Sequence, residues 1–155
     1  MPDRKLYLFD TFEGFDERDV DMERKLGCSD AQTGLYSGTD KEKLMERMPL
    51  PGQVVIRKGW FPETAFDIED ETFCLVCMDA CLYQPTLAGL VTFSFPRMGR
   101  GGVILLSGCS GTRYRGVDKS SGGPGNQIRR SSYASGGRLR RHSDDCTSVG
   151  WEIIE

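Results

Sequence analysis

No stretch of the sequence is long and apolar enough to span a bilayer. The longest runs only from Phe73 to Met78, where a transmembrane helix needs roughly 20 apolar residues. Met1-Pro2-Asp3-Arg4-Lys5 leads straight into a strand pattern with no apolar leader, so the chain is read as cytoplasmic and without a membrane partner. The single histidine, His142, lies in an arginine-rich segment, which leaves Ser-His-Asp and Cys-His catalysis without a structural home. No internal repeat is present. The glycines beyond Leu106 sit in no strand-loop-helix frame, so dinucleotide and P-loop fingerprints fail. Six cysteines in a chain read as cytoplasmic predict reduced thiols rather than a disulfide framework. Among them, Cys74, Cys77 and Cys81 suggest zinc. Cys74 and Cys77, however, are an odd number of residues apart in an expected strand and point to opposite faces, so buried thiols are the better reading.

What remains is a chain of 155 residues, the size of one domain. Its charge is unevenly divided. Residues 1–106 carry 12 basic and 18 acidic side chains, a net of −6, and residues 107–155 carry 8 and 5, a net of +3. Leu6–Asp10 is a nearly continuous apolar run ending in an acid, as in a parallel strand buried on both faces. The charged stretch Asp16–Leu26 predicts an exposed helix closed by Gly27. Thr39 and Glu42 have capping-box spacing ahead of Leu44, Met45 and Met48, and Pro49 stops that helix. Further strands are expected at Val54–Lys58, Phe73–Asp79 and Val103–Leu106. A helix starting near Pro85 is expected to pack through Leu87, Leu90, Val91, Phe95 and Met98. Alternating strands and helices predict an α/β fold with an open parallel sheet and right-handed crossovers.

From Ser107 onward the periodicity stops. Ser, Gly and Arg dominate to Asp145, a composition that buries too little apolar surface to offset its conformational entropy, so residues 107–155 are read as a disordered or irregular tail. Val149, Trp151 and Ile153 alternate and form a short strand only if something pairs with it. Residues 113–141 carry eight basic side chains against Asp118, a net of +7, enough to attract a phosphate backbone. Only Tyr114 and Tyr133 offer stacking there, so nucleic-acid binding is the weaker alternative.

In open parallel sheets ligands bind beyond the carboxyl ends of the strands. Asp10, Gly59 and Asp79 occupy three such ends. A strand-end acid beside a nucleotide accepts hydrogen bonds from ribose hydroxyls; for Asp10 a turn or capping role stays equally open. For Asp79 the wholly apolar residues before it favour function.

Four segments, Leu6–Phe15, Ile56–Ala65, Met78–Leu90 and Gly101–Leu105, match in order and spacing the macrocin O-methyltransferase family, which the chain resembles over residues 4–106 with some support to Val117. The resemblance implies a partial methyltransferase-type (Rossmann-like) domain over residues 1–106. It also implies S-adenosylmethionine as cofactor, a sugar or glycoside hydroxyl as acceptor, and magnesium beside the acceptor. It gives Asp10, Thr11 and Phe12 to the ribose side of the cofactor, and Gly59, Trp60 and Phe61 to the adenine side. Core packing remains an alternative for Trp60 and Phe61. Asp79 takes the catalytic and metal position, whereas Glu63 and Pro85-Thr86 are read as architectural. An oligomer stays open.

The chain also departs from the family. Where the resemblance implies further metal-binding acids, the sequence has Cys81, Ser107 and Gly108, and a thiol is a poor magnesium ligand. Nothing before Leu6 supplies the family's first strand, Gly-rich turn and following helix. A sheet without that strand has a central gap of about 10 Å, two strand spacings. The sequence is therefore expected to be truncated and catalytically impaired, with a non-catalytic cofactor-binding remnant as the alternative.

Overall fold

The computed structural model describes residues 4–94, 97–107, 115–121 and 148–149. β1 (Lys5–Asp10) buries Tyr7, Leu8 and Phe9 in succession, the signature of a strand covered on both faces. It pairs in parallel with β2 (Val54–Lys58), Leu6 opposite Val54 through Asp10 opposite Lys58. β3 (Phe73–Met78) pairs in parallel with β4 (Met98–Leu106), with an irregularity between Phe73 and Leu75 where β4 runs through Gly99 to Gly102. The slot expected as a central gap between β1 and β3 holds a two-residue strand, β5 (Ser148–Val149). Ser148 lies opposite Lys5 and Phe73, and Val149 opposite Leu6. The sheet order is β2-β1-β5-β3-β4, every pairing parallel. The expected mixed α/β architecture with parallel strands is thus present. Trp151 and Ile153 lie outside the described residues.

α3 (Tyr83–Phe93) covers one face of this sheet. Its buried residues are Thr86, Gly89, Leu90 and Phe93, which displaces the expected stripe: Val91 is 68% exposed, Met98 opens β4, and Phe95 is outside the described residues. A side chain at Gly89 would stand 2.4 Å from Met78 Sδ, so helix and strand approach closely there and the Met78 side chain must move to admit one. Phe93 then reaches an aromatic cluster, with ring centroids 5.2 Å from Phe73, 5.9 Å from Phe61 and 6.3 Å from Phe9. Tyr7, Ile68, Val76, Met78 and Leu90 complete that core.

α1 (Glu17–Leu26) is capped by Asp16, whose side chain accepts from Arg18 N, and ends at Gly27 in the left-handed region. It is not the exposed helix its charge suggests: Asp19, Val20 and Glu23 are buried, and Val20 packs with Ala31, Cys81 and Leu82 in a second core cluster. Glu23 ties the helices together. One of its carboxylate oxygens accepts from Ser29 Oγ at 2.8 Å, the other from the Tyr83 backbone N–H at the start of α3.

Irregular chain was expected from Ser107 onward, but Gly116–Ser121 forms a helix, α4. Its Val117 and Ser120 are buried. Arg115 donates to the Gly27 carbonyl at 3.2 Å and Lys119 to that of Leu26 at 3.4 Å. Two of the basic side chains thus meet the unsatisfied carboxyl end of α1. The rest of the basic segment lies outside the described residues. α2 (Lys41–Arg47) is capped by Asp40, one residue beyond the expected Thr39, and buries no side chain. Among the described residues, no helix is long and apolar enough to cross a membrane.

Candidate functional site

An open pocket, about 580 Å³ counting the solvent space at its mouth, lies at the carboxyl ends of β1, β2 and β3. Asp10 and Thr11 come from the end of β1, Gly59, Trp60 and Phe61 from the residues after β2, and Asp79 and Ala80 from those after β3. The strand pairing carries this convergence, since the Gly59 N–H continues the β1–β2 ladder by donating to the Asp10 carbonyl at 2.9 Å.

Asp10 Oδ1 accepts from the Phe12 backbone N–H at 2.7 Å, so the acid closes a tight turn as well as facing the pocket. Burial raises its carboxyl above the usual range, opposed by the Phe12 and Thr11 N–H groups. Thr11 Oγ1 donates to the Gly14 carbonyl at 2.6 Å. Phe12 itself is not among the lining residues. Gly14 has φ of 77°, and a side chain there would strike the Leu35 carbonyl oxygen at 2.3 Å. It thereby lets the 11–16 turn lie against the 34–36 loop, which contributes Leu35 and Tyr36 to the pocket wall. Phe15 and Tyr36 meet edge to face at 5.3 Å.

Trp60 and Phe61 differ in setting. Phe61 is buried in the main core, edge-on to Phe9 and stacked on Phe93, so core packing and pocket lining coincide in one ring. The Trp60 ring carries the Arg18 guanidinium 4.0 Å from its centroid, a cation–π contact. Its Nε1 donates to Asp19 Oδ2 at 3.0 Å.

Sequence reasoning missed Asp19 and Asp16. Both line the pocket, Asp16 as the cap of α1 and Asp19 from its first turn. Arg18 holds the Asp16 carboxyl below its usual range through a side-chain hydrogen bond. Asp19 is 5% exposed, its Oδ1 has no hydrogen-bond partner, and burial pushes its carboxyl up to about 6, despite the Trp60 bond that opposes the shift. The available signal was Asp19, Val20 and Glu23 at helical spacing on one face. Asp10, Asp16, Asp19 and Asp79 give the pocket four carboxyl groups, and no Lys, Arg or His is among the described residues lining it.

The metal position fares differently. Cys81 is buried with Val20 and Leu82 and does not line the pocket. Ser107 lies at the end of β4, its N–H donating to the Met78 carbonyl at 2.8 Å, and Gly108 is outside the described residues. Among the described residues, no three His, Cys, Asp or Glu side chains converge to hold a metal ion. Asp79 is the one carboxylate among the described residues of that position, with a thiol and a hydroxyl where acids were expected, and this donor set does not fit magnesium. Cys28, Cys74, Cys77 and Cys81 are thiols outside any disulfide.

The chain is an α/β protein with a parallel sheet, and its pocket lies at the carboxyl ends of the strands, where open parallel sheets place their ligand sites. The family model for Macrocin-O-methyltransferase (TylF) matches residues 1–112, and the chain belongs to that family. Membership implies S-adenosylmethionine-dependent O-methyl transfer to a small-molecule acceptor. Comparisons with curated proteins and with solved structures each give no match.

Proposed function

We propose that the pocket at the ends of β1, β2 and β3 holds the adenosine part of S-adenosylmethionine, with a sugar or glycoside hydroxyl as the acceptor. The reading rests on one observation: Asp10, Gly59 and Asp79, from three separate strand ends, line the same pocket. Asp10, braced by the Phe12 N–H, takes the ribose hydroxyls, with Thr11 and Phe12 fixing the turn that aims it. Gly59, Trp60 and Phe61 form the adenine wall, where aromatic rings contribute stacking and buried area.

When bound, S-adenosylmethionine supplies an electrophilic methyl group on a sulfonium sulfur. Asp79 is assigned to the acceptor hydroxyl, whose proton it would accept as the oxygen–methyl bond forms and the methyl–sulfur bond breaks, the neutral thioether leaving. Cys81 and Ser107 stand where acids hold magnesium in the family, so transfer is slow and independent of the metal, and the chain is chiefly a cofactor binder. Calorimetry with S-adenosylmethionine tests the reading. Saturable heat is expected, reduced about tenfold or more in affinity by Asp10→Ala and unchanged by magnesium. No heat at millimolar cofactor with folded protein overturns it.

A further inference from the structure

Trp60 is gripped from two sides by neighbouring residues in the first turn of α1. The Arg18 guanidinium lies 4.0 Å from the centroid of its ring, and the indole Nε1 donates to Asp19 Oδ2 at 3.0 Å. Trp60 lines the pocket and Arg18 does not, so the cation covers the ring face turned away from the cleft. With that face and the N–H edge taken, the opposite face is what the indole has left to offer a ligand.

Arg18 is itself held. Asp16, the cap of α1, accepts from its Nε at 2.8 Å and from Nη2 at 2.9 Å, and Glu63 Oε1 stands 3.6 Å from Nη1. Two parallel bonds to one carboxylate fix the plane of a guanidinium, and a planar cation so fixed restrains the ring it lies on. Further along α1, Glu23 accepts from Ser29 Oγ and from the Tyr83 backbone N–H. The helix that carries Arg18 is thereby tied to the start of α3.

We propose that Arg18 is a positioning residue for the adenine wall: clamped by Asp16 and Glu63, it holds the Trp60 indole in the orientation that stacks on an adenine base. The proposal rests on the adenosine reading above and goes beyond it by giving a role to a side chain outside the pocket. Arg18 acts through Trp60 alone, by removing ring freedom that ligand binding would otherwise have to remove. Its side chain is 51% exposed, and ion pairs in that setting contribute little. The contact with the ring therefore matters more than the pairing with Asp16 or Glu63, which serves to aim the cation.

Adenosine titrated into the full chain is the probe. Arg18→Ala should weaken its binding about two- to fivefold, the factor to which an exposed cation–π contact of about 0.5–1 kcal/mol corresponds. Trp60→Leu should weaken it about fivefold or more, as loss of one stacked base does. In the double variant Arg18→Ala should add nothing to the loss from Trp60→Leu, because the ring through which it acts is gone. Fluorescence anisotropy, read in a Trp151→Phe background where Trp60 is the only tryptophan left of two, should fall in Arg18→Ala. Arg18→Lys, which keeps the cation without the fork, should restore both anisotropy and affinity in part. Arg18→Gln takes the place of the alanine variant should that one not fold. Losses that add in the double variant, or wild-type affinity in Arg18→Ala, overturn the positioning role and leave the adenosine reading standing. Undiminished binding by Trp60→Leu overturns the adenine wall and the proposal with it, and no binding of adenosine to the wild-type chain overturns both readings.

Discussion

Asp19→Asn removes a charge while preserving side-chain shape and the acceptor for the Trp60 indole. In the folded chain the Asp19 carboxyl ionises near pH 6 instead of 3.8, chiefly because it is buried. An offset of about two pH units corresponds to about 3 kcal/mol, an upper figure because local relaxation and water entry reduce it. Between pH 4 and 6 the folded chain keeps this proton after the unfolded chain has lost it. The contribution therefore favours folding at low pH and disappears as pH rises through 6. At pH 7.5, with no ligand present, the variant should be the more stable by about 1–3 kcal/mol, since a neutral amide costs less to bury than a carboxylate with an unmet oxygen. At pH 5 the wild-type chain should recover about 1 kcal/mol of that difference. Urea unfolding of both proteins at pH 5, 6 and 7.5 measures it, and the comparison cancels the titrating groups that do not interact with Asp19. A difference that does not change with pH, or a variant less stable at pH 7.5, refutes the assignment of a costly buried charge to Asp19.

Glu23→Ala strands the Ser29 hydroxyl and the Tyr83 N–H in a buried junction, and thermal melts followed by circular dichroism should show a loss of about 2–4 kcal/mol. Phe93→Ala opens a cavity among Phe9, Phe61 and Phe73 and should cost about 3–5 kcal/mol in urea unfolding, with a value under about 1 kcal/mol contradicting the described core. Gly89→Ala pushes a methyl group into Met78 Sδ and should cost about 1–3 kcal/mol by the same measurement.

The strands were the legible part. Val54–Lys58 has the bounds its apolar run indicates, and β1 differs from expectation by Lys5 alone, because apolar runs flanked by Gly, Pro or acids mark buried parallel strands sharply. The same runs mark their carboxyl ends, Asp10, Gly59 and Asp79, which the fold brings to one pocket. The stretch after Leu87 was harder. Apolar residues continue at helical spacing to Met98, yet the chain leaves the helix at Phe93 and enters β4 at Met98. A short apolar run fits either element, and pairing with β3 decides the matter. Asp19 was hidden for a different reason: α1 is rich in charge and reads as a solvated surface. Its burial comes from Trp60, 41 residues away, and from packing onto the α3 start, neither of which local sequence encodes. α4 was likewise obscured, since among its described side chains only Val117 is apolar and buried, and the element it packs against, α3, lies far away in sequence.

The central claim is that a methyl-donor nucleoside sits beside Trp60, and the indole N–H signal of that residue in a nuclear magnetic resonance titration reports on it directly, with Trp60→Phe separating it from Trp151, the second of the chain's two tryptophans. Added S-adenosylmethionine should move the Trp60 signal along a saturable curve that Asp10→Ala shifts to higher concentration. A Trp60 signal that stays in place while millimolar cofactor perturbs residues elsewhere contradicts the account.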